Sequence, residues 1–158
     1  MSQYYGRGQG YGAGGPPPWA GGGRGGGGPP FVRQPLLQPL QPPGPGVLRV
    51  VATTSDGRGL DSLIAPRFAR APFITVVDIS GGRVVDVKSF QNPYATAPQG
   101  AGMGFAQWVI SSGARVVIAP NVGPNAAMVL QQAGVAIYTV PPGVRLADAL
   151  RNLGLARI

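Results

Sequence analysis

Residues 115–140 read RVVIAPNVGPNAAMVLQQAGVAIYTV, and their pattern decides the fold class. Arg115 to Ala119 is a short run of β-branched and small apolar residues, which reads as a buried strand. Pro124 then stands at the first position of a helix over Pro124–Ala133, with Gly123 ahead of it and Gly134 just past its end. That is the start-and-stop asymmetry of helices: proline lacks an N–H the first turn does not use, and glycine tolerates the left-handed stop. Val135 to Val140 returns to strand. A strand, a helix and a strand in this order imply a right-handed parallel crossover, the unit of an α/β sheet.

Upstream, Phe105, Trp108, Val109 and Ser112 have helical spacing. Before them, Phe73–Ile79 and Val84–Phe90 flank Ser80-Gly81-Gly82-Arg83, and paired glycines accept the positive φ of a tight hairpin turn. In the second hairpin strand Val85 and Val87 alternate with Asp86 and Lys88, as on a strand with one wet face. Leu48–Thr54 is a first strand ended by Asp56-Gly57. Downstream, Leu146, Ala149, Leu150 and Leu153 form an i, i+3, i+4, i+7 stripe closed by Gly154. The predicted order is strand, hairpin, helix, strand, helix, strand, helix: an α/β fold with a mixed five-stranded sheet, one antiparallel hairpin, and helices on the faces. Ligands of such sheets sit beyond the carboxyl ends of the parallel strands. Here those loops are residues 54–72 and 119–125, joined by the glycine-rich run 98–104.

The segment 1–46 is different in kind. It holds 15 of the 27 glycines and 10 of the 18 prolines, so it carries too little apolar surface to offset its ordering entropy and reads as a disordered tail. The remaining residues 47–158 suit one small domain. Within the tail, Tyr4, Tyr5, Tyr11, Trp19, Arg7 and Arg24 lie among glycines, as in segments whose aromatic and guanidinium planes stack on nucleic-acid bases. Residues 29–45 are proline-rich and favour extended polyproline conformations. A solubilising arm is the plainer reading of both stretches.

The chain has neither cysteine nor histidine, which excludes structural zinc, Cys-ligated iron–sulfur centres and most imidazole-based catalysis. No apolar run approaches the roughly 18–20 residues of a membrane span. The expectation is a soluble, cytoplasmic protein without membrane contact. The net charge of +8 comes from 13 Lys and Arg against 5 acids, which invites a nucleic-acid or anionic-ligand reading, although charged residues are sparse.

Candidate site residues follow from the loops. Gln99-Gly100-Ala101-Gly102-Met103-Gly104 precedes a helix, where glycines let backbone N–H groups approach an anion, or else simply form a flexible turn. Asn121-Val122-Gly123-Pro124-Asn125 is a second helix start of the same kind. Arg67 and Arg70 offer two guanidiniums to a phosphate, carboxylate or cluster, unless Asp61 and Asp78 pair with them. Asp56, Asp61 and Asp78 are a weaker candidate for magnesium, since they do not cluster in sequence. Met103 is the only sulfur expected near the loops, and Met128, inside a helix, reads as core filler.

Gly59-Leu60-Asp61-Ser62, the run Pro66 to Asp78, Gly100-Ala101-Gly102, Val117 to Ala126 and Gly134 to Tyr138 together resemble the dinitrogenase iron–molybdenum cofactor biosynthesis family, of the NifX/NifB type. The resemblance spans nearly all of residues 48–153. It implies a three-layer α/β/α, ribonuclease H-like domain, and a non-enzymatic binding or carrier protein for an anionic iron–sulfur or iron–molybdenum cofactor precursor. The family usually has His-Phe-Gly where this chain has Arg67-Phe68-Ala69, so an imidazole ligand is replaced by a guanidinium. Taken with the loops above, the residues expected to bind the ligand are Arg67, Arg70, Gly100, Gly102, Met103, Gly104, Asn121, Gly123 and Asn125. The alternative is an RNA- or single-stranded-DNA-associated protein working through the Arg/Tyr/Gly tail and the basic core.

Overall fold

A computed structural model describes residues 36–158. The strands are β1 Val47–Thr54, β2 Phe73–Ser80, β3 Arg83–Gln91, β4 Val116–Ala119 and β5 Ala136–Thr139; the helices are α1 Ala101–Ser111, α2 Pro124–Gln132 and α3 Leu146–Asn152. The sheet order is β3-β2-β1-β4-β5, with β2 antiparallel to both β1 and β3, and β4 parallel to both β1 and β5. This is the mixed five-stranded sheet expected from the sequence.

Alternation along the central strands divides the core into two layers. Val51 and Val117 face one side, where they pack with Phe105, Trp108 and Val109 of α1 and with Ala126 and Leu130 of α2. Val50, Ala52, Val116 and Ile118 face the other side, against Leu146, Ala149 and Leu150 of α3. β1 and β4 are buried throughout their paired length because both faces are covered, which is why they read as continuous apolar runs. On the two-helix side Phe105 is the hub, its ring 4.8 Å from Phe68 and 6.0 Å from Trp108.

Local signals act as their chemistry requires. Gly81 and Gly82 turn the β2–β3 hairpin at φ 60° and 80°. Gly134, at φ 82°, ends α2, and Val135 N–H closes back on Leu130 O at 2.9 Å.

The hairpin corrects one expectation. Val85 and Val87 do not share a face, because a bulge shifts the β2–β3 register between Asp78 and Ile79, pairing Asp78 with Asp86 but Ile79 with Val84. Val85 becomes the extra residue and is 58% exposed, while Val84 and Val87 both pack on the α3 side.

Residues 36–46 lie within the stretch that composition assigned to the tail. They have no regular secondary structure before β1, yet Leu37 and Leu40 pack against the two-helix side of the core. The base-stacking residues Tyr4 to Arg24 lie outside the described residues. No helix among those described is long and apolar enough to cross a membrane.

Candidate functional site

β1 and β4 are adjacent and parallel, but the chain leaves them in opposite directions, towards β2 and towards β5. The crevice this creates at their carboxyl ends is the usual ligand position in open α/β sheets. A cleft of about 530 Å³ lies there, lined by Arg67, Phe68, Ala69 and Arg70 from the loop after β1, Asn121 from the loop after β4, and the first turns of α1 and α2. Of the residues predicted from sequence, Arg67, Arg70, Gly100, Gly102, Met103, Asn121, Gly123 and Asn125 all line it. Gly104 does not. A Cβ there would come within 2.7 Å of the Tyr94 ring, so this glycine serves close packing beneath the site.

Two helix starts converge on the cleft, and neither is capped by a side chain. α1 begins at Gly100, at φ 75°, and α2 begins at Gly123 followed by Pro124. The first intrahelical bonds run from Gly104 N–H to Gly100 O and from Ala127 N–H to Gly123 O, each 2.9 Å. The N–H groups of Ala101, Gly102, Met103, Asn125 and Ala126 therefore have no partner among the described residues, and all five residues line the cleft. Unsatisfied first-turn N–H groups carry the positive end of the helix dipole, and two such ends together make a strong concave donor set for an anion. The two helix starts are adjacent: a Cβ on Gly102 would lie in ordinary contact, 4.0 Å from Ala126 Cβ.

The two arginines divide in role. Arg70 donates to Ala97 O, and to Ala95 O at 3.3 Å, tying its loop to the turn Pro93–Thr96. Arg67 is exposed and has no partner among the described residues. Neither meets the carboxylates proposed for it: Asp78 is taken by Arg49 at 2.8 Å, and Asp61 by Arg145 at 2.9 Å. Asp56 bonds Arg58. The three candidate magnesium ligands are thus held by three different arginines, and no cluster of metal-ligating side chains forms among the described residues. No carboxylate is among the residues that line the cleft, and two arginines are.

Among the described residues, several of the remaining cations are engaged elsewhere. Lys88 pairs with Asp86, Arg151 with Asp148, and Arg157 bonds Gly81 O. Arg83 starts β3 and Arg115 immediately precedes β4, at the sheet end away from the cleft.

Sequence reasoning missed one residue that shapes the site. Asn92 is buried; its amide donates to Ala69 O and Ala71 O, both at 2.9 Å, and its carbonyl accepts Tyr94 N–H at 3.0 Å. It fastens the arginine loop to the turn that carries Tyr94. The legible signal was Asn92-Pro93, an Asx residue poised to cap a proline-started turn. Met103 is 40% exposed at the cleft, whereas Met128, read as core filler, is 55% exposed on α2.

The comparisons fit this geometry. The orange protein from Desulfovibrio gigas, solved in its apo form, is 32% identical over 70% of this chain and 91% of its own, with a TM-score of 0.60. A putative NifB protein from Thermotoga is 30% identical over 68% of this chain and 90% of its own, with a TM-score of 0.52. No match emerges among functionally curated proteins. The family described as dinitrogenase iron-molybdenum cofactor matches residues 48–154, and the chain belongs to that family.

Proposed function

We propose that this protein is a non-catalytic carrier whose cleft holds a preformed anionic metallocluster, an iron–sulfur or iron–molybdenum cofactor precursor, as cargo. The observation that carries this reading is the set of five unpartnered N–H groups at two convergent helix starts, in a cleft without carboxylates. The donors suit the outside of a cluster rather than its metals. With no cysteine or histidine in the sequence, the protein supplies no thiolate or imidazole bond, and Met103 is the only sulfur at the cleft. A thioether alone binds metal weakly, so the cargo must bring its own terminal ligands.

In this role the backbone N–H groups bond the sulfide or oxo edges of the cluster, and Arg67 supplies the balancing charge. Phe68 lies at the floor, excluding water and strengthening those contacts. The same features that bind would permit release, since no covalent bond has to break. This also fits the change from His-Phe-Gly to Arg67-Phe68-Ala69: a point of ligation becomes a point of charge.

The test is anaerobic titration of the full chain with a synthetic thiol-capped [4Fe–4S] cluster. The expected result is visible absorption that coelutes with protein, weakens with salt, and slows exchange of the amides of Ala101, Gly102, Met103, Asn125 and Ala126. Absence of both coelution and protection would overturn the reading.

A further inference from the structure

Residues 36–43 have no regular secondary structure, yet their backbone meets a row of buried polar groups. Trp108 Nε1 donates to Gln38 O at 2.9 Å, Leu40 N–H to Ser112 Oγ at 3.0 Å, and the Arg49 guanidinium to Gln41 O at 2.6 Å. Trp108, Ser112 and Arg49 are 2%, 0% and 5% exposed. Without the segment, the indole N–H of Trp108 and the Ser112 hydroxyl would have no partner among the described residues. The segment covers these groups and must satisfy each of them as it does so, which ties the docking to this one register. Pro43 completes it over the end of α1: a Cβ on Gly113 would lie 2.7 Å from Pro43 Cδ.

The other end of the segment reaches the cleft indirectly. Leu37 and Leu40 pack against the apolar cluster that holds Tyr94, Phe105 and Trp108. The ring of Tyr94 in turn packs so closely on Gly104 that no side chain fits between them. Gly104 closes the first turn of α1, immediately after the free N–H groups of Ala101, Gly102 and Met103. Ala101, Phe105 and Trp108 also share the buried face of α1, so a helix held at Trp108 is held at the cleft.

We infer that residues 36–43 are a strap whose docking fixes the first turn of α1, and that strap docking and occupation of the cleft are coupled. The coupling rests on the carrier reading; the fixing of α1 does not. Linkage makes the effect reciprocal: cargo tightens the strap, and peeling the strap away loosens the cargo.

Hydrogen exchange on the full chain separates the two. The amide of Leu40 reports strap docking, and those of Gly104 and Phe105 report the first turn of α1. Two variants release the strap from opposite sides: Leu37→Ser with Leu40→Ser, which touches only the strap, and Trp108→Phe, which keeps an aromatic side chain but removes the indole donor and some volume. Circular dichroism checks that each variant remains folded. Both should accelerate all three amides, and both should weaken binding of the thiol-capped [4Fe–4S] probe by about 5-fold or more, the lower end of ordinary coupling. Accelerated exchange at Leu40 with Gly104, Phe105 and probe affinity unchanged would overturn the inference. Accelerated exchange at all three amides, with no probe bound even by the unmodified chain, would support the strap and overturn the carrier reading instead.

Discussion

Gly102 and Gly104 stand two residues apart in α1 and have opposite reasons to be glycine. At Gly102 a methyl group meets nothing nearer than 4.0 Å, so Gly102→Ala should stabilise the fold by about 0.5–1 kcal/mol through helix propensity. At Gly104 the methyl would lie 2.7 Å from Tyr94, and Gly104→Ala should cost about 1–3 kcal/mol through overpacking. Urea denaturation of the two variants decides this by sign. The arginines separate in the same way. Arg67→Gln should leave the thermal midpoint unchanged and weaken cluster binding about tenfold, the size of one charge-assisted hydrogen bond. Arg70→Gln removes donors to Ala95 O and Ala97 O, and should instead lower stability by about 1 kcal/mol. Sequence placed both guanidiniums in the right loop. It did not distinguish them, because the carbonyls that occupy Arg70 lie 25 and 27 residues further along the chain.

At the level of elements, the strands and helices were legible because each carries its own punctuation: Pro124 and Gly134 around α2, Gly81-Gly82 at the hairpin, and Gly154 after α3. What escaped was phase. A bulge in β3 has no residue signature here, so Val85 read as equivalent to Val87 although only Val87 packs on the core. α3 offers a test of local electrostatics. Asp148, in its first turn, is hydrogen-bonded by Arg145, which holds its pKa below the ordinary 3.8. A depressed carboxylate stabilises the fold above its ordinary pKa and loses that contribution as pH falls below it. Asp148→Asn should therefore lower the denaturation midpoint slightly at neutral pH, and the gap should close in acid and shrink in high salt, because the group is exposed.

Across the whole molecule, the two ends of the sheet do different work. At the end away from the cleft, Arg49 and Asp78 face each other across the β1–β2 register, both nearly buried, with two hydrogen bonds at 2.8 and 3.0 Å. Arg49→Met leaves a carboxylate buried without its partner and should cost about 3–5 kcal/mol, seen as a large loss of denaturation midpoint. Register also explains why Asp78 was a poor guess for Arg67 or Arg70: it lies near the end of β2, opposite the start of β1, while both arginines follow β1. The strap was hidden by averaging. Glycine and proline dominate residues 1–46 as a whole, but Leu36-Leu37-Gln38-Pro39-Leu40 carries leucines, of which Leu37 and Leu40 pack on the core. The cleft, by contrast, was readable from two glycine-headed helices, and the nature of its donors has a further consequence. Peptide N–H groups neither titrate nor oxidise. A grip made of them should keep its own charge from roughly pH 5 to 9, where an imidazole site would change, and peroxide applied to the empty protein should reach only Met103 at the cleft, where it would consume a thiolate site outright. Whatever prompts this protein to let go has to move the backbone, screen the charge at Arg67 or alter the cargo, because the N–H groups themselves offer nothing to switch.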